Sequence, residues 1–208
     1  FVLTRICPAK RQEYSKLEAK LPNRFATVLH RLGNKVLCME ATMRTHSTGR
    51  PRVIIVGAGF VGLNAGKALK NAPVDVLMID QTNYHTFQPL LYQVATAGLE
   101  PTDIAYQARG IFRHQKNFRF LQGKVTGVDW ENQDVLLESV AAVHYDYLIL
   151  GAGAVYTDFG TPGVKEHGFL LKTLEQANNL RSHILQQFEL ASIHPELIDE
   201  GILNFVIV

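Results

Sequence analysis

Three glycines, Gly57, Gly59 and Gly62, stand between a short β-branched run (Val53, Ile54, Ile55, Val56) and a helical pattern. Together they read R-V-I-I-V-G-A-G-F-V-G-L, a G-x-G-x-x-G in its strand–turn–helix setting. The chemistry this spacing serves is the grip on a pyrophosphate. The first glycine permits a tight turn off the strand, and the second lets the backbone approach the phosphates. The third lets the helix pack close to the sheet. The helix start then offers N–H groups and the positive end of a dipole to the anion. A second apolar run, Val74 to Ile79, ends at Asp80, about 20 residues beyond the glycines, where a carboxylate can bind ribose hydroxyls. Gly66 lies on the helix face that meets the sheet and suits the close packing common where this motif binds FAD rather than NAD. The competing readings are a glycine-rich turn of an ordinary α/β domain and an Asp that only caps the next loop.

No other constellation in the chain suggests chemistry. The eight histidines show no metal-ligand spacing with cysteines or carboxylates, and each reads as a surface or loop residue. The two cysteines, Cys7 and Cys38, precede the glycine turn and form neither a disulfide framework nor a C-x-x-C pair, which fits a reducing compartment. No side chain reads as a convincing general acid or base. With 47% hydrophobic and 19% charged residues, the composition is that of a globular protein with a core. No run of 18 apolar residues is present. The net charge of +2 is uneven: residues 1–49 hold nine Lys/Arg against three Asp/Glu, and the remainder is acidic. The basic residues are not interleaved with a nucleic-acid-binding module, so no nucleic-acid partner is expected. Residues 1–49 can be a disordered basic tail, an amphipathic organelle presequence, or sequence upstream of the true start. The last is preferred because the chain opens on Phe1.

The elements that must position the turn follow in order. A βαβ unit runs from Arg50 to Asp80, and residues 81–100 form a long irregular stretch of the sort that serves a ligand. Pro101 opens a helix expected to run to about Gly110, with Ile104, Ala108 and Ile111 on one face. Strand-like runs at Asn117–Leu121, Lys124–Trp130 and Asp134–Val140 suggest an antiparallel meander inserted into the parallel sheet. Tyr145–Leu150 reads as a buried strand ending in Gly151-Ala152-Gly153. A helix with a Thr173/Gln176 capping box carries an apolar stripe from Leu174 to Ala191. Ile202–Val208 reads as another buried strand. The fold class is α/β: a Rossmann-like domain with a parallel sheet and an inserted meander. Its expected boundaries are residues 50–200, with 201–208 as the first strand of a second dinucleotide-binding domain.

These residues resemble the two-dinucleotide-binding-domain flavoprotein reductases, and specifically the type II NADH dehydrogenases. The resemblance rests on V-I-I-V-G-A-G-F-V-G-L at 53–63, D-Q-T-N-Y-H-T-F-Q-P-L-L-Y-Q-V-A-T at 80–96, Y-D-Y-L-I-L-G-A-G-A at 145–154 and F-L-L-K-T-L-E-Q-A-N-N-L-R at 169–181. It covers residues 52–208 and none of 1–49. It implies FAD on the first unit, NADH as co-substrate on the second, and electrons leaving to a quinone. Carried over, Gly57, Gly59, Phe60, Val61 and Gly62 would line the FAD pyrophosphate, and Asp80 would hold the adenosine ribose. Gln88, Pro89 and Leu90 would lie near the isoalloxazine, Val125 would meet the adenine through its backbone, and Gly151 would close over the cofactor. The chain reads G-A-G where the family more often has A-T-G, which loosens the assignment of Gly151 to Gly153.

Residues 81–208 contain no cysteine, whereas the disulfide reductases and sulfide:quinone reductases of this architecture rely on them. The flavin itself must then take the hydride and pass electrons to a diffusible acceptor. The expected activity is NADH oxidation through flavin to quinone, absent from a chain that stops at Val208. The alternatives are another NAD(P)H-linked flavin reductase without redox cysteines, such as one serving a ferredoxin or rubredoxin, or a nucleotide-binding module without turnover. The resemblance further implies a cytoplasmic protein, allows peripheral contact with the inner face of a membrane through residues beyond Val208, and allows a homodimer. If residues 1–49 are a presequence, the location becomes an organelle matrix.

Overall fold

The computed structural model describes residues 49–207. The expectations for residues 1–48 lie outside the described residues. Four strands form a parallel sheet: β1 (Arg52–Val56), β2 (Asp75–Asp80), β5 (Phe118–Gln122) and β9 (Tyr147–Leu150), in spatial order β5-β2-β1-β9. The order reverses at β1: the chain adds β2 and β5 on one side, then returns to add β9 on the other. Helix α1 (Phe60–Ala68) makes the crossover from β1 to β2.

Alternation along β1 and β2 divides the core into two layers, because successive strand side chains point to opposite faces. Val53, Ile55, Val76 and Met78 pack under α1 with Phe112. Ile54, Val56, Leu77 and Ile79 pack on the other face with Leu121, Val135, Val143 and Tyr145. A three-stranded antiparallel sheet covers this second face: β6 (Val125–Asp129), β7 (Asp134–Leu137) and β8 (Val143–His144). The meander is therefore present with a shifted membership. The 117–121 run joins the parallel sheet beside β2, and 143–144 supplies the third meander strand. The physical reason lies at Asn117. Its amide donates to the carbonyls of Leu69 and Val74, both at 3.0 Å, tying the start of β5 to the end of α1 and the entry of β2.

Four further expectations are corrected. The helix opened by Pro101 stops at α3 (Pro101–Ile104) and gives way to β4 (Ala105–Gln107) before resuming as α4 (Ala108–Ile111). The interruption is a pairing: β4 runs antiparallel to β3 (Tyr84–Thr86), with His85 opposite Tyr106. Tertiary hydrogen bonding here overrides helical periodicity. The 81–100 stretch is correspondingly less irregular than expected, holding β3, a 3-10 turn at Gln88–Leu90 and α2 (Leu91–Ala95). The strand after Tyr145 is not buried throughout. β9 lies at the sheet edge with one neighbour, and Tyr147 is 61% exposed. Finally, residues 204–207 form no strand, and Val206 and Ile207 are 84% and 96% exposed. A buried parallel strand needs partners for its backbone groups, and no described strand pairs with this segment.

The chain continues through α5 (Val164–His167) to the long helix α6 (Leu174–Ile193), which carries the expected Thr173/Gln176 capping box. Ala177 is fully buried against Leu91, Val94, Ala95 and Ile104. Arg181 adds a two-pronged pair with Glu100, at 3.2 and 2.9 Å, which holds the Glu100 carboxyl below the ordinary glutamate range. A short helix, α7 (Glu196–Asp199), follows.

Candidate dinucleotide-binding turn

In open α/β sheets, ligands bind outside the carboxyl ends of the strands where the strand order reverses. That point here is the end of β1, between β2 and β9. The Gly57 N–H donates to the Ile79 carbonyl at 2.8 Å, and the Gly151 N–H donates to the Val56 carbonyl at 2.8 Å. Gly57 has φ +100, a conformation L side chains rarely adopt. A Cβ there would also lie 2.3 Å from the Gly151 carbonyl oxygen. Gly57 and Gly151 thus close the two strand ends against each other. At Gly62 a Cβ would come within 1.8 Å of the Gly57 carbonyl oxygen, so the first turn of α1 lies directly on the loop. Gly66 admits the edge of Phe112, 2.9 Å from where its Cβ would be, and Met78 beyond it. This is the close helix–sheet contact expected for that position.

Gly59 differs from all of these. Its φ is −73, which any residue tolerates, and a Cβ built there meets nothing within 4 Å among the described residues. The fold therefore does not need glycine at 59, although the motif has one there. The opening suits a group that presses on the backbone. Among the described residues no side chain caps α1, so none of them answers the N–H groups of its first turn. Phe60 (41% exposed) and Val61 flank the opening. A phosphate pair fits these features: an uncapped helix start, a backbone with no Cβ in the way, and a pinched strand end behind it.

Asp80 ends β2 beneath the turn. One carboxylate oxygen, Oδ2, accepts from the Ala58 N–H at 2.6 Å, and the other, Oδ1, accepts from the Thr82 N–H at 2.7 Å. The Thr82 hydroxyl lies 2.9 Å from the same Oδ1. Asp80 is thus both a loop cap and part of the glycine turn. A carboxylate offers about four acceptor positions, so one on Oδ2 remains for a ligand hydroxyl. The Gly123 N–H donates to the Asp80 carbonyl at 2.8 Å, which brings the start of β6, and with it Val125, to the same strand end. The region of Gln88, Pro89 and Leu90 is reached through Phe87, whose ring meets Phe60 edge-on at 5.6 Å. Gln88 and Pro89 are exposed. Leu90 is half-buried and lines a cleft of about 400 Å³ with Leu63, Lys67, His85, Phe87, Tyr106 and Ile111.

The residue missed in the sequence is His85. Read there as surface or loop, it is 5% exposed, and its Nδ1 lies 2.8 Å from the Ala58 carbonyl oxygen. Phe60 packs edge-on against its ring at 5.3 Å. The available signal was its position at the centre of Y-H-T, an alternating strand that follows the acid by a few residues.

The sequence profile of the pyridine nucleotide-disulphide oxidoreductases matches residues 51–200. The chain is 45% identical over 164 residues to the type II NADH:quinone oxidoreductase NdhA of Mycobacterium tuberculosis, covering 77% of this chain and 35% of that protein. It is 32% identical over 191 residues to the mitochondrial external alternative NAD(P)H-ubiquinone oxidoreductase B4 of Arabidopsis thaliana, covering 84% and 32%. Among solved structures, NDH2 of Plasmodium falciparum in complex with NADH superposes with a TM-score of 0.63 at 26% identity, covering 70% of this chain and 31% of that one. The chain spans about a third of the length of the curated relatives it matches. The profile takes in the whole parallel sheet, the glycine turn at its reversal point and the meander on its second face, and the chain belongs to the pyridine nucleotide-disulphide oxidoreductase family.

Proposed function

We propose that residues 50–200 bind FAD across the Gly57–Gly62 turn and form the flavin-carrying domain of a type II NADH:quinone oxidoreductase. The observation that carries this reading is the opening at Gly59: space for a Cβ with nothing in it, at an uncapped helix start where the sheet order reverses. The NADH and quinone in the names of the relatives supply the proposed substrates of the complete protein. When bound, the flavin supplies the hydride-accepting, two-electron redox chemistry of the site.

The work of the chain is to hold and orient. The backbone of Gly59, Phe60 and Val61 would donate to the pyrophosphate, with the dipole of α1 behind it. Gly57 and Gly62 keep the loop tight enough for that approach. Asp80 would accept from a ribose hydroxyl through its remaining Oδ2 position. Val125 would meet the adenine through its backbone, Gly151 would close over the cofactor from β9, and Gln88, Pro89 and Leu90 would lie toward the isoalloxazine. Residues 81–208 carry no thiol, so this stretch of the chain would supply no disulfide relay beside the flavin. A quinone acceptor is lipid-borne, which would bring the complete protein to a membrane surface.

The test is to purify the chain and measure what it retains. Bound flavin, released as FAD on denaturation, is the expected result. Tight binding of NAD with no retained or restorable flavin would overturn the reading.

A further inference from the structure

Both polar backbone groups of Ala58 are held from outside the turn. Its N–H donates to Asp80, and its carbonyl oxygen faces Nδ1 of His85 at 2.8 Å. A carbonyl can only accept, so the imidazole must carry its proton on Nδ1. The ring is buried and fixed on several sides. Phe60 packs on it edge-on, and the flanking backbone is pinned where the Ala108 N–H donates to the Asn83 carbonyl and the Phe87 N–H to the Ile104 carbonyl. Thr82 connects the two grips, its hydroxyl lying 2.9 Å from Asp80 Oδ1 and 3.1 Å from the Tyr84 carbonyl oxygen.

The peptide that His85 holds is the one joining Ala58 to Gly59. In a trans peptide the carbonyl and the next N–H point in opposite directions. Fixing the Ala58 carbonyl toward His85 therefore aims the Gly59 N–H away from His85. Glycine at 59 makes this lock necessary, because a peptide preceding glycine can flip at little steric cost. We propose that His85 is a positioning residue for the cofactor: its Nδ1–H fixes the 58–59 peptide so that the Gly59 N–H faces the pyrophosphate. The proposal rests on the FAD reading given above. It explains why a polar ring is buried beneath the turn, and why the 84–86 strand is secured by pairing with 105–107.

Two variants separate the donor from the ring. His85→Phe keeps an aromatic ring against Phe60 and removes the donor. His85→Asn offers an amide N–H near the Nδ1 position. FAD affinity of the apo chain is read by flavin fluorescence, apo stability by thermal unfolding, and the parent imidazole by ¹⁵N NMR. Expected are an Nδ1–H tautomer in the parent, a dissociation constant raised about tenfold in His85→Phe, and recovery to within about threefold of the parent in His85→Asn. Parent-like affinity in His85→Phe, equal losses in both variants, or an Nε2–H tautomer would overturn the proposal while the FAD reading stands. A parent chain that takes up no FAD would instead overturn that reading and this role with it.

Discussion

Replacing Gly59 by Ala separates what the turn does for the fold from what it does for a ligand. Its φ of −73 suits alanine, and the added methyl meets no atom within 4 Å among the described residues, so none of them resists it. Apo stability should change by less than about 1 kcal/mol, in either direction, as for Gly→Ala at a compatible site. The methyl would, however, fill the space proposed for the pyrophosphate. Overpacking of this kind costs about 1–3 kcal/mol, which weakens FAD binding by about 5- to 150-fold. Gly62→Ala is the opposite case, since its methyl would sit 1.8 Å from the Gly57 carbonyl oxygen and force the helix off the loop. It should destabilise the apo chain by about 1–3 kcal/mol. Thermal unfolding of the apo variants and flavin titration of Gly59→Ala decide the matter. A Gly59→Ala chain that binds FAD as the parent does would refute the placement of the pyrophosphate. A clear loss of apo stability in that variant would show that the opening at Gly59 is not open.

Asp80→Ala should weaken FAD binding by about 1.5–3 kcal/mol, as for a lost charge-assisted hydrogen bond. It should also lower the thermal midpoint, because the Ala58 and Thr82 N–H groups lose their acceptor; unchanged flavin affinity would leave Asp80 only a loop cap. The Glu100–Arg181 pair predicts an acid-side effect. The Glu100 carboxyl is held below its ordinary range by the Arg181 hydrogen bond, so its contribution is complete above that range and is lost as pH falls through the depressed value. Glu100→Gln should therefore be less stable than the parent near neutrality, with the gap in thermal midpoint closing at acid pH. Removal of residues 1–49 should leave the thermal transition within about 1 kcal/mol of the parent, and a larger loss would mean that they pack on the domain.

The parts of the fold legible in the sequence are those governed by local chemistry. The three glycines, the β-branched run before them and the acid at the end of the next strand each carry their own steric or electrostatic reason, and the turn forms around them. The Thr173/Gln176 capping box is equally local and marks the start of α6. What was not legible depends on distant partners. Helical periodicity after Pro101 gives no hint that 105–107 pairs with 84–86, and alternation cannot tell that 118–122 joins β2 while 125–129 leaves the sheet. Strand character at 202–208 is apolar sequence without a described partner to pair with. His85 was missed for the same reason. Its role comes from the Ala58 carbonyl, a backbone group 27 residues away that no composition rule can see.

The central claim is that FAD lies along the turn at the end of β1. Titrating FAD into the ¹⁵N-labelled chain and following backbone amides tests it most directly. The account predicts large shifts at Gly59, Phe60 and Val61, with smaller ones at Gly57, Gly62, Gly123 and Gly151. Shifts confined to the cleft lined by Lys67, Leu90 and Tyr106, with the Gly59–Val61 amides unmoved, would contradict it.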